Sequence, residues 1–258
     1  MDKLLQLTSG RLTIRQSPQG EARPRGLYFG PGGFTGWDDG VTMRSETIAR
    51  PQAHGDFDTP GYLSGRLVPM KGTCFADSME DLEEMRDMFV GHGGDGGKFT
   101  VTVERNGRTL FGSARQAAGT TPTFEDIGTG RRAKWSASWW FPDPLKYGAA
   151  FDFPAGQTVL AVHRGNFPAR PRLRVYGDAG GGYTITGPGG RLIVITRPLV
   201  AGQPHTFDTA TGRLTIGGAR ALGGIARSDL FTLPPTSATT ISVSNGLTLQ
   251  VLGNETYL

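Results

Sequence analysis

Residues 132–148 read Arg132-Ala133-Lys134-Trp135-Ser136-Ala137-Ser138-Trp139-Trp140-Phe141-Pro142-Asp143-Pro144-Leu145-Lys146-Tyr147-Gly148. Trp135, Ala137, Trp139 and Phe141 alternate with Lys134, Ser136 and Ser138, and that period of two belongs to a strand with one buried face. The run predicts a strand over Arg132–Phe141 with Trp135 and Trp139 in a core. Trp140 breaks the alternation and points the other way, which makes it a candidate for an interface. Pro142-Asp143-Pro144 then ends the strand, because proline cannot donate to a sheet interior.

Upstream, Lys98–Arg105 and Thr109–Ala118 flank Asn106-Gly107. Both turn residues tolerate positive φ, so the pair predicts a β-hairpin closed by a type I′ turn. Before it lies the one helix that the pattern predicts, near residues 78–90. Asp77 with Glu80, or Ser78 with Asp81, supplies a capping box. Met79, Leu82, Met85 and Phe89 make the apolar stripe, and Gly91 supplies the stop. Further strands are expected at Leu4–Leu7 and Leu12–Ile14, joined near Ser9-Gly10, and at Ser45–Ala49, Tyr62–Met70 and Thr123–Ile127. The stretch holding Pro24, Gly26, Gly30, Pro31, Gly32, Gly33, Gly36 and Gly40 reads as a long irregular loop, and Pro51–Gly61 as turns.

Downstream, Gly148–Gln157 is polar and carries Gly and Pro, and reads as a domain junction. Beyond it every run is β-like: Val159–Val162, Arg172–Tyr176, Tyr183–Thr186, Arg191–Thr196, His205–Asp208, Arg213–Ile216, Leu230–Thr232, Thr239–Ser244 and Leu247–Leu252. Short runs at near-regular spacing, broken by Gly/Pro turns, indicate a β-sandwich. The 258 residues therefore divide into a mixed domain over 1–153 and an all-β domain over 154–258.

Composition agrees with a mainly β chain. The 40 glycines and 17 prolines lack a collagen period, and 37% hydrophobic against 19% charged residues excludes a disordered polymer. Cys74 is the single cysteine, so no disulfide forms within the chain and a reducing compartment is expected. The start, Met1-Asp2-Lys3-Leu4-Leu5, turns polar at Gln6 and is too short for a signal peptide, so synthesis in the cytoplasm is expected. The net charge of +4 is uneven: about 18 basic residues face about 19 acidic ones up to Phe153, and about 9 face 4 beyond it. All the later cations are arginines, with no interleaved aromatics of the kind a single-strand nucleic-acid platform uses.

The sequence carries no recognisable active site: no catalytic, cofactor-binding or metal residue is assigned. His54, His92, His163 and His205 show no metal-ligand spacing. Gly91-His92-Gly93-Gly94-Asp95-Gly96 matches a dinucleotide fingerprint only in form, since a helix precedes it and a strand follows. Gly97-Lys98 lacks the glycine and hydroxyl of a phosphate loop, and no Gly-x-Ser-x-Gly elbow occurs. Asp38-Asp39 and Asp56/Asp58 are neighbouring carboxylates, read as turn formers rather than a glycosidase pair. Arg172 and Arg174 share one strand face, read as solvated.

The order of these features resembles the distal tail proteins of siphophages, particularly minor tail proteins of actinobacterial phages. Trp139-Trp140-Phe141-Pro142-Asp143-Pro144-Leu145-Lys146-Tyr147-Gly148 is similar to the end of that family's N-terminal domain. Asn166-Phe167-Pro168-Ala169-Arg170-Pro171-Arg172-Leu173-Arg174-Val175-Tyr176-Gly177 resembles the strand that opens its second domain. Leu199-Val200-Ala201-Gly202 with Phe207-Asp208-Thr209, and Leu230-Phe231-Thr232-Leu233-Pro234-Pro235, resemble later segments. Pro168 and Pro235 stand where glycine is usual. The resemblance implies an N-terminal tail-tube-like split β-barrel or sandwich with one helix, and a C-terminal galectin-like jelly-roll. It also implies a hexameric ring in the virion, at the tail tip. That ring joins the tail tube to the central tip protein and receptor-binding proteins, and phage DNA passes through it.

A ring needs heterologous surfaces that close by rotation. The Asn106-Gly107 hairpin and the Gly30–Gly40 loop are expected to reach a neighbouring subunit. The alternative is a carbohydrate-binding module on the host wall, with Tyr176, Tyr183 and Tyr257 as stacking platforms in the second domain. An enzyme of the tail tip lacks the carboxylate pair or zinc site it needs.

Overall fold

The structure, a computed structural model, describes residues 5–17, 23–128 and 130–258; Leu4, first residue of the expected opening strand, lies outside them. The chain is mainly β and divides into two compact units, residues 1–146 and 147–257. Among the described residues there is one α-helix, and no helix is long and apolar enough to cross a membrane.

The first unit runs β1 (Gln6–Ser9), β2 (Leu12–Gln16), β3 (Gly26–Phe34), β4 (Met43–Arg44), β5 (Ile48–Ala49), β6 (Asp56–Phe57), β7 (Tyr62–Leu63), β8 (Arg66–Phe75), α1 (Met79–Gly91), β9 (Phe99–Arg105), β10 (Arg108–Gln116), β11 (Thr123–Asp126) and β12 (Arg132–Phe141). Strands β12-β8-β3-β2-β1-β9-β10 are neighbours in that order, and β10 pairs back onto β12, so the seven close into a barrel. Closure removes the open edges that a flat sheet would present. Trp135, Trp139 and Phe141 are buried on the inward face as the alternation requires. Trp135 meets Phe29 and Phe89 at centroid distances of 5.9 and 5.2 Å. Gly72 on β8 makes room for this indole, since a Cβ there would come within 2.6 Å of it.

The helix starts at Ser78, whose hydroxyl accepts from the Asp81 amide at 3.1 Å, and buries Leu82, Met85 and Phe89. Asn106 and Gly107 have φ of 51° and 78°, the conformation that a type I′ turn needs, and they join β9 to β10. Two expectations for this unit fail. The supposed loop from Pro24 to Gly40 contains β3, which pairs in parallel with β2 and antiparallel with β8. Its irregularity between Phe29 and Phe34 absorbs Gly30-Pro31-Gly32-Gly33 as a distortion inside the strand. The turn region Pro51–Gly61 also contains a strand, β6.

The second unit comprises β13 (Lys146–Gly156, from Tyr147 onward), β14 (Thr158–Ala161), β15 (Arg172–Tyr176), β16 (Tyr183–Thr186), β17 (Leu192–Ile195), β18 (His205–Asp208), β19 (Arg213–Ile216), β20 (Ala219–Arg220), β21 (Ile225–Ser228), β22 (Thr239–Val243) and β23 (Thr248–Tyr257). One sheet has the order β14-β22-β16-β17-β21 and the other β13-β23-β15-β18-β19-β20. Val159, Ile185, Ile193 and Ile241 from the first share a core with Leu173, Phe207, Leu214, Leu249 and Val251 from the second. This is a β-sandwich. The stretch 148–157, expected as a polar junction, is mostly strand β13, and Phe151 and Phe153 pack on the core. Leu230–Thr232 is not a strand; Phe231 is buried there, and Leu233 makes an isolated bridge to Ala169.

Candidate assembly surface

Between β3 and β8 the chain leaves the barrel and returns as a two-stranded arm. At its root Ser64 N–H donates to the Thr42 carbonyl at 2.9 Å, and β4 pairs with β7 through Met43↔Leu63 and Arg44↔Tyr62. Farther out β5 pairs with β6 through Ile48↔Phe57 and Ala49↔Asp56. Residues 45–47 lie between the ladders on the outgoing side and 58–61 on the return side, so the return carries one residue more. Pro60 sits in that step, where it has no amide to donate. The Thr59 hydroxyl bridges the step by donating to the Glu46 carbonyl at 2.7 Å.

The arm is almost wholly exposed: Met43, Ile48, Phe57 and Tyr62 are 61%, 59%, 50% and 67% accessible. Arg44, Glu46, Ile48, Thr59, Pro60 and Tyr62 line a groove of about 440 Å³ along one side of it. Four large apolar side chains on a ribbon this thin have no core of their own. A two-stranded ribbon is marginal in water, which makes this exposed apolar surface a candidate contact with another molecule.

The root, by contrast, is tied down by two buried cations. Arg66, the first residue after the arm on β8, is buried. Its Nη1 donates to the carbonyls of Gly36, Trp37 and Asp39 at 2.7, 2.9 and 2.7 Å, and its Nε to that of Pro144 at 3.0 Å. Lys146 Nζ donates to the Trp37 carbonyl at 2.8 Å and lies 5.8 Å from the Trp37 ring centroid. Arg66 thus holds the loop that enters the arm against β8, the strand that leaves it, and Lys146 ties the same loop to the residues after β12. Burial pushes the pKa of Lys146 down to about 8, and the neighbouring Arg66 charge adds to this. Burial also lowers the pKa of Arg66, against the pull of Asp38 and Asp39.

Beside the root, the outward face of the barrel carries a second apolar feature. Leu67 pairs with Trp140, and Trp140 with Arg115. Leu67 is 50% and Trp140 41% exposed, and Pro69 lies exposed next along β8. The absence of a side chain at Gly65 lets the Trp140 indole lie across the start of this strand. Lys71, Lys134 and Arg115 stand on the same face, with Glu125 opposite Lys134.

The other sequence candidates resolve as follows. Asp39 caps the Gly36 amide at 2.8 Å and Asp38 is ion-paired with Arg105, so this pair shapes the loop; Asp56 and Asp58 are exposed on the arm. The Gly91–Gly96 loop follows α1 and precedes β9, the reverse of a phosphate-binding order. Among the described residues no group of three His, Cys, Asp or Glu side chains is placed to hold a metal. Cys74 is buried against Met85, and burial pushes its thiol up to about 12, which leaves it inert.

In the second unit Arg172 is exposed, while Arg174 Nε donates to the Thr206 hydroxyl at 3.4 Å. Tyr183 is buried with its hydroxyl 3.1 Å from His205 Nδ1, and Tyr257 is buried beside Glu255, so neither can stack on a sugar. Tyr176 donates to Gln250 at 2.7 Å. His163 is fixed as the Nε2–H tautomer, because Nδ1 accepts from the Gly165 amide while Nε2 donates to the Leu233 carbonyl. The outward position of Trp140 was legible from the broken alternation. The arm was legible in part: the strand expected over Ser45–Ala49 is reduced to β5 and that over Tyr62–Met70 is broken at Ser64-Gly65 into β7 and β8, while β6 and the pairings were missed. Arg66 was not legible, because no local pattern marks a buried arginine.

No family model and no curated protein matches the sequence. Solved structures do match the fold. The Dit (gp 19.1) protein of phage SPP1, a hub of the adsorption apparatus in phages that infect Gram-positive bacteria, superposes with a TM-score of 0.67 at 16% identity, over 88% of this chain and 95% of that one. A chain of the phage P2 baseplate in its activated, calcium-bound conformation superposes with a TM-score of 0.53 at 8% identity, over 100% of this chain and 99% of that one. The fold of this chain is that of phage tail hub and baseplate proteins, as a siphophage distal tail protein would have.

Proposed function

We propose that this chain is a structural protein of a phage tail tip, without enzymatic activity. Copies of it close into a ring, six in number by the family resemblance. The ring joins the tail tube to the tip and its receptor-binding proteins, and DNA passes through without sequence-specific contact. The observation that carries this reading is a hub-protein fold extending over 88% of the chain. The bare apolar arm on its first unit supports it, since a ring requires surfaces that a single copy leaves unsatisfied. In this reading the second unit is the galectin-like module that faces outward partners. The carbohydrate module is the weaker alternative, because Tyr183 and Tyr257 are committed to the core.

Light scattering on the purified full chain across a concentration series, with negative-stain imaging, tests the proposal. Closed rings of six are expected, either alone or on addition of tail-tube protein. A chain that stays monomeric under both conditions would refute the ring.

A further inference from the structure

We infer that the arm of one copy seats its apolar side chains on the Leu67–Trp140 stripe of the next copy. This rests on the ring reading and names the contact that builds it.

Both surfaces are bare in the single chain. The arm presents Met43, Ile48, Phe57 and Tyr62, and the stripe presents Leu67, Pro69 and Trp140. Large aromatic and aliphatic side chains at the centre of a patch, ringed by charge, are the usual make-up of an interface core. The charges around the two surfaces are opposite in sense. Between Thr42 and Ser64 the arm carries Glu46, Asp56 and Asp58 against Arg44 and Arg50, and the Arg50 guanidinium lies 5.6 Å from the Phe57 ring centroid. The stripe is flanked by Lys71, Lys134 and Arg115, with Glu125 as the opposing carboxylate. The arm therefore carries one carboxylate in excess and the sheet face two cations in excess, one of which, Arg115, also donates to the Gly96 carbonyl; this balance favours arm on sheet over stripe on stripe.

The arm does not cover the stripe of its own chain, since both surfaces are exposed in the single copy. Only Gly65 and Arg66 separate Ser64 at the arm's root from Leu67, and Arg66 is locked by its four carbonyl acceptors. The arm therefore starts at the edge of its own stripe, and Leu67 and Trp140 stay exposed beside it. The nine residue steps from Ser64 to Gly55 reach roughly 30 Å when extended, enough to cross onto an adjacent subunit. Arm and stripe are different surfaces of one unit, so the contact is heterologous and repeats around a ring.

The test is disulfide trapping between separately purified full-length variants. Phe57→Cys is placed on the arm and Trp140→Cys on the stripe; the native Cys74 is buried and does not compete. Mixing the two under mild oxidation is expected to give a crosslinked dimer that neither gives alone, and the double variant a ladder of higher multiples. Trp140→Ser is expected to lower the thermal melt of the monomer by a few degrees, leaving it folded, and to raise the assembly concentration about tenfold, the effect of losing one buried anchor. Rings that form normally while the mixture stays uncrosslinked, or crosslinks only within the Phe57→Cys sample, overturn this contact and leave the ring standing. A wild-type chain that never assembles overturns the ring itself, and the contact with it.

Discussion

Replacing Arg66 with methionine isolates what holds the arm's root. The guanidinium makes four hydrogen bonds of 2.7–3.0 Å to the carbonyls of Gly36, Trp37, Asp39 and Pro144. Trp37 keeps Lys146 as a donor, so three carbonyls lose their partner. Those of Gly36, Asp39 and Pro144 lie close enough to the surface to be partly rehydrated. About 1 kcal/mol for each is then the appropriate end of the range, about 3 kcal/mol in all. Removing a desolvated cation, whose buried Nη2 has no partner, returns about 1 kcal/mol. The net loss is about 2 kcal/mol. All four tryptophans, Trp37, Trp135, Trp139 and Trp140, lie in the first unit, so their fluorescence follows its unfolding alone. With an m-value of about 2 kcal/mol/M, the urea midpoint of that transition should fall by about 1 M. Arg66→Lys should recover part of the loss, because one ammonium cannot span Pro144 and the 36–39 loop together. Hydrogen exchange at residues 36–44 should rise in the methionine variant. A midpoint shift below about 0.3 M, or a lysine variant equal to wild type, would refute the clamp.

Two pH dependences follow from buried groups. Lys146 has a pKa of about 8 in the folded chain against 10.5 when free, so the unfolded state binds more protons between those values. The tryptophan-monitored stability should therefore rise from pH 8 to 10.5, and Lys146→Met should remove that slope; equal slopes in the two proteins would contradict it. His163 and His205 have folded pKa values held below 6.5, chiefly by burial, so their contribution is present above pH 6.5 and lost as the pH falls through the folded values. Circular dichroism of acid unfolding should show the second unit weakening below pH 6.5, and the double variant His163→Gln/His205→Gln a shallower slope; an unchanged slope would sink this account.

What the sequence made legible was local. The tryptophan alternation over 132–141, the Asn106-Gly107 turn and the capped start of the helix each depend on residues a few positions apart, and each stands where the pattern placed it. The expected stop does not, since Gly91 is the last helical residue, His92 is the C-cap and the positive φ falls at Gly93. What it hid depends on distant partners. β3 looks like a loop because Gly30-Pro31-Gly32-Gly33 breaks any period, yet its ends pair with β2 and β8 and make it a barrel stave. Gly33 is needed there because a side chain would strike the Lys71 carbonyl of β8. β13 contains Pro154 and a polar residue, Asp152, and is held by β23 and by Phe151 and Phe153 packing on a core that its own sequence does not announce. Arg66 is the clearest case. Arginine at the start of a strand is normally solvated, and only the loop it binds, some thirty positions earlier, makes it a buried fastener.

The arm's two ends obey opposite rules, and that contrast bears on how an assembly surface works. Its root is over-determined: two buried cations converge on one carbonyl, and three more carbonyls are tied to Arg66. Its outer part is under-determined: two ladder steps and a bridging hydroxyl hold a ribbon whose apolar side chains face solvent. A root that moved would add the entropy of aiming the whole arm to the cost of association, whereas a fixed root leaves only the outer ribbon to be ordered. A rigid outer ribbon would in turn need a core of its own, and building one would cover the side chains that the proposed contact buries. Fixing the direction while leaving the tip for a partner to complete is therefore the arrangement that lowers the cost of docking without using up the surface. A desolvated arginine with one unpartnered nitrogen sits at the base of the arm, where its other nitrogens fix that direction.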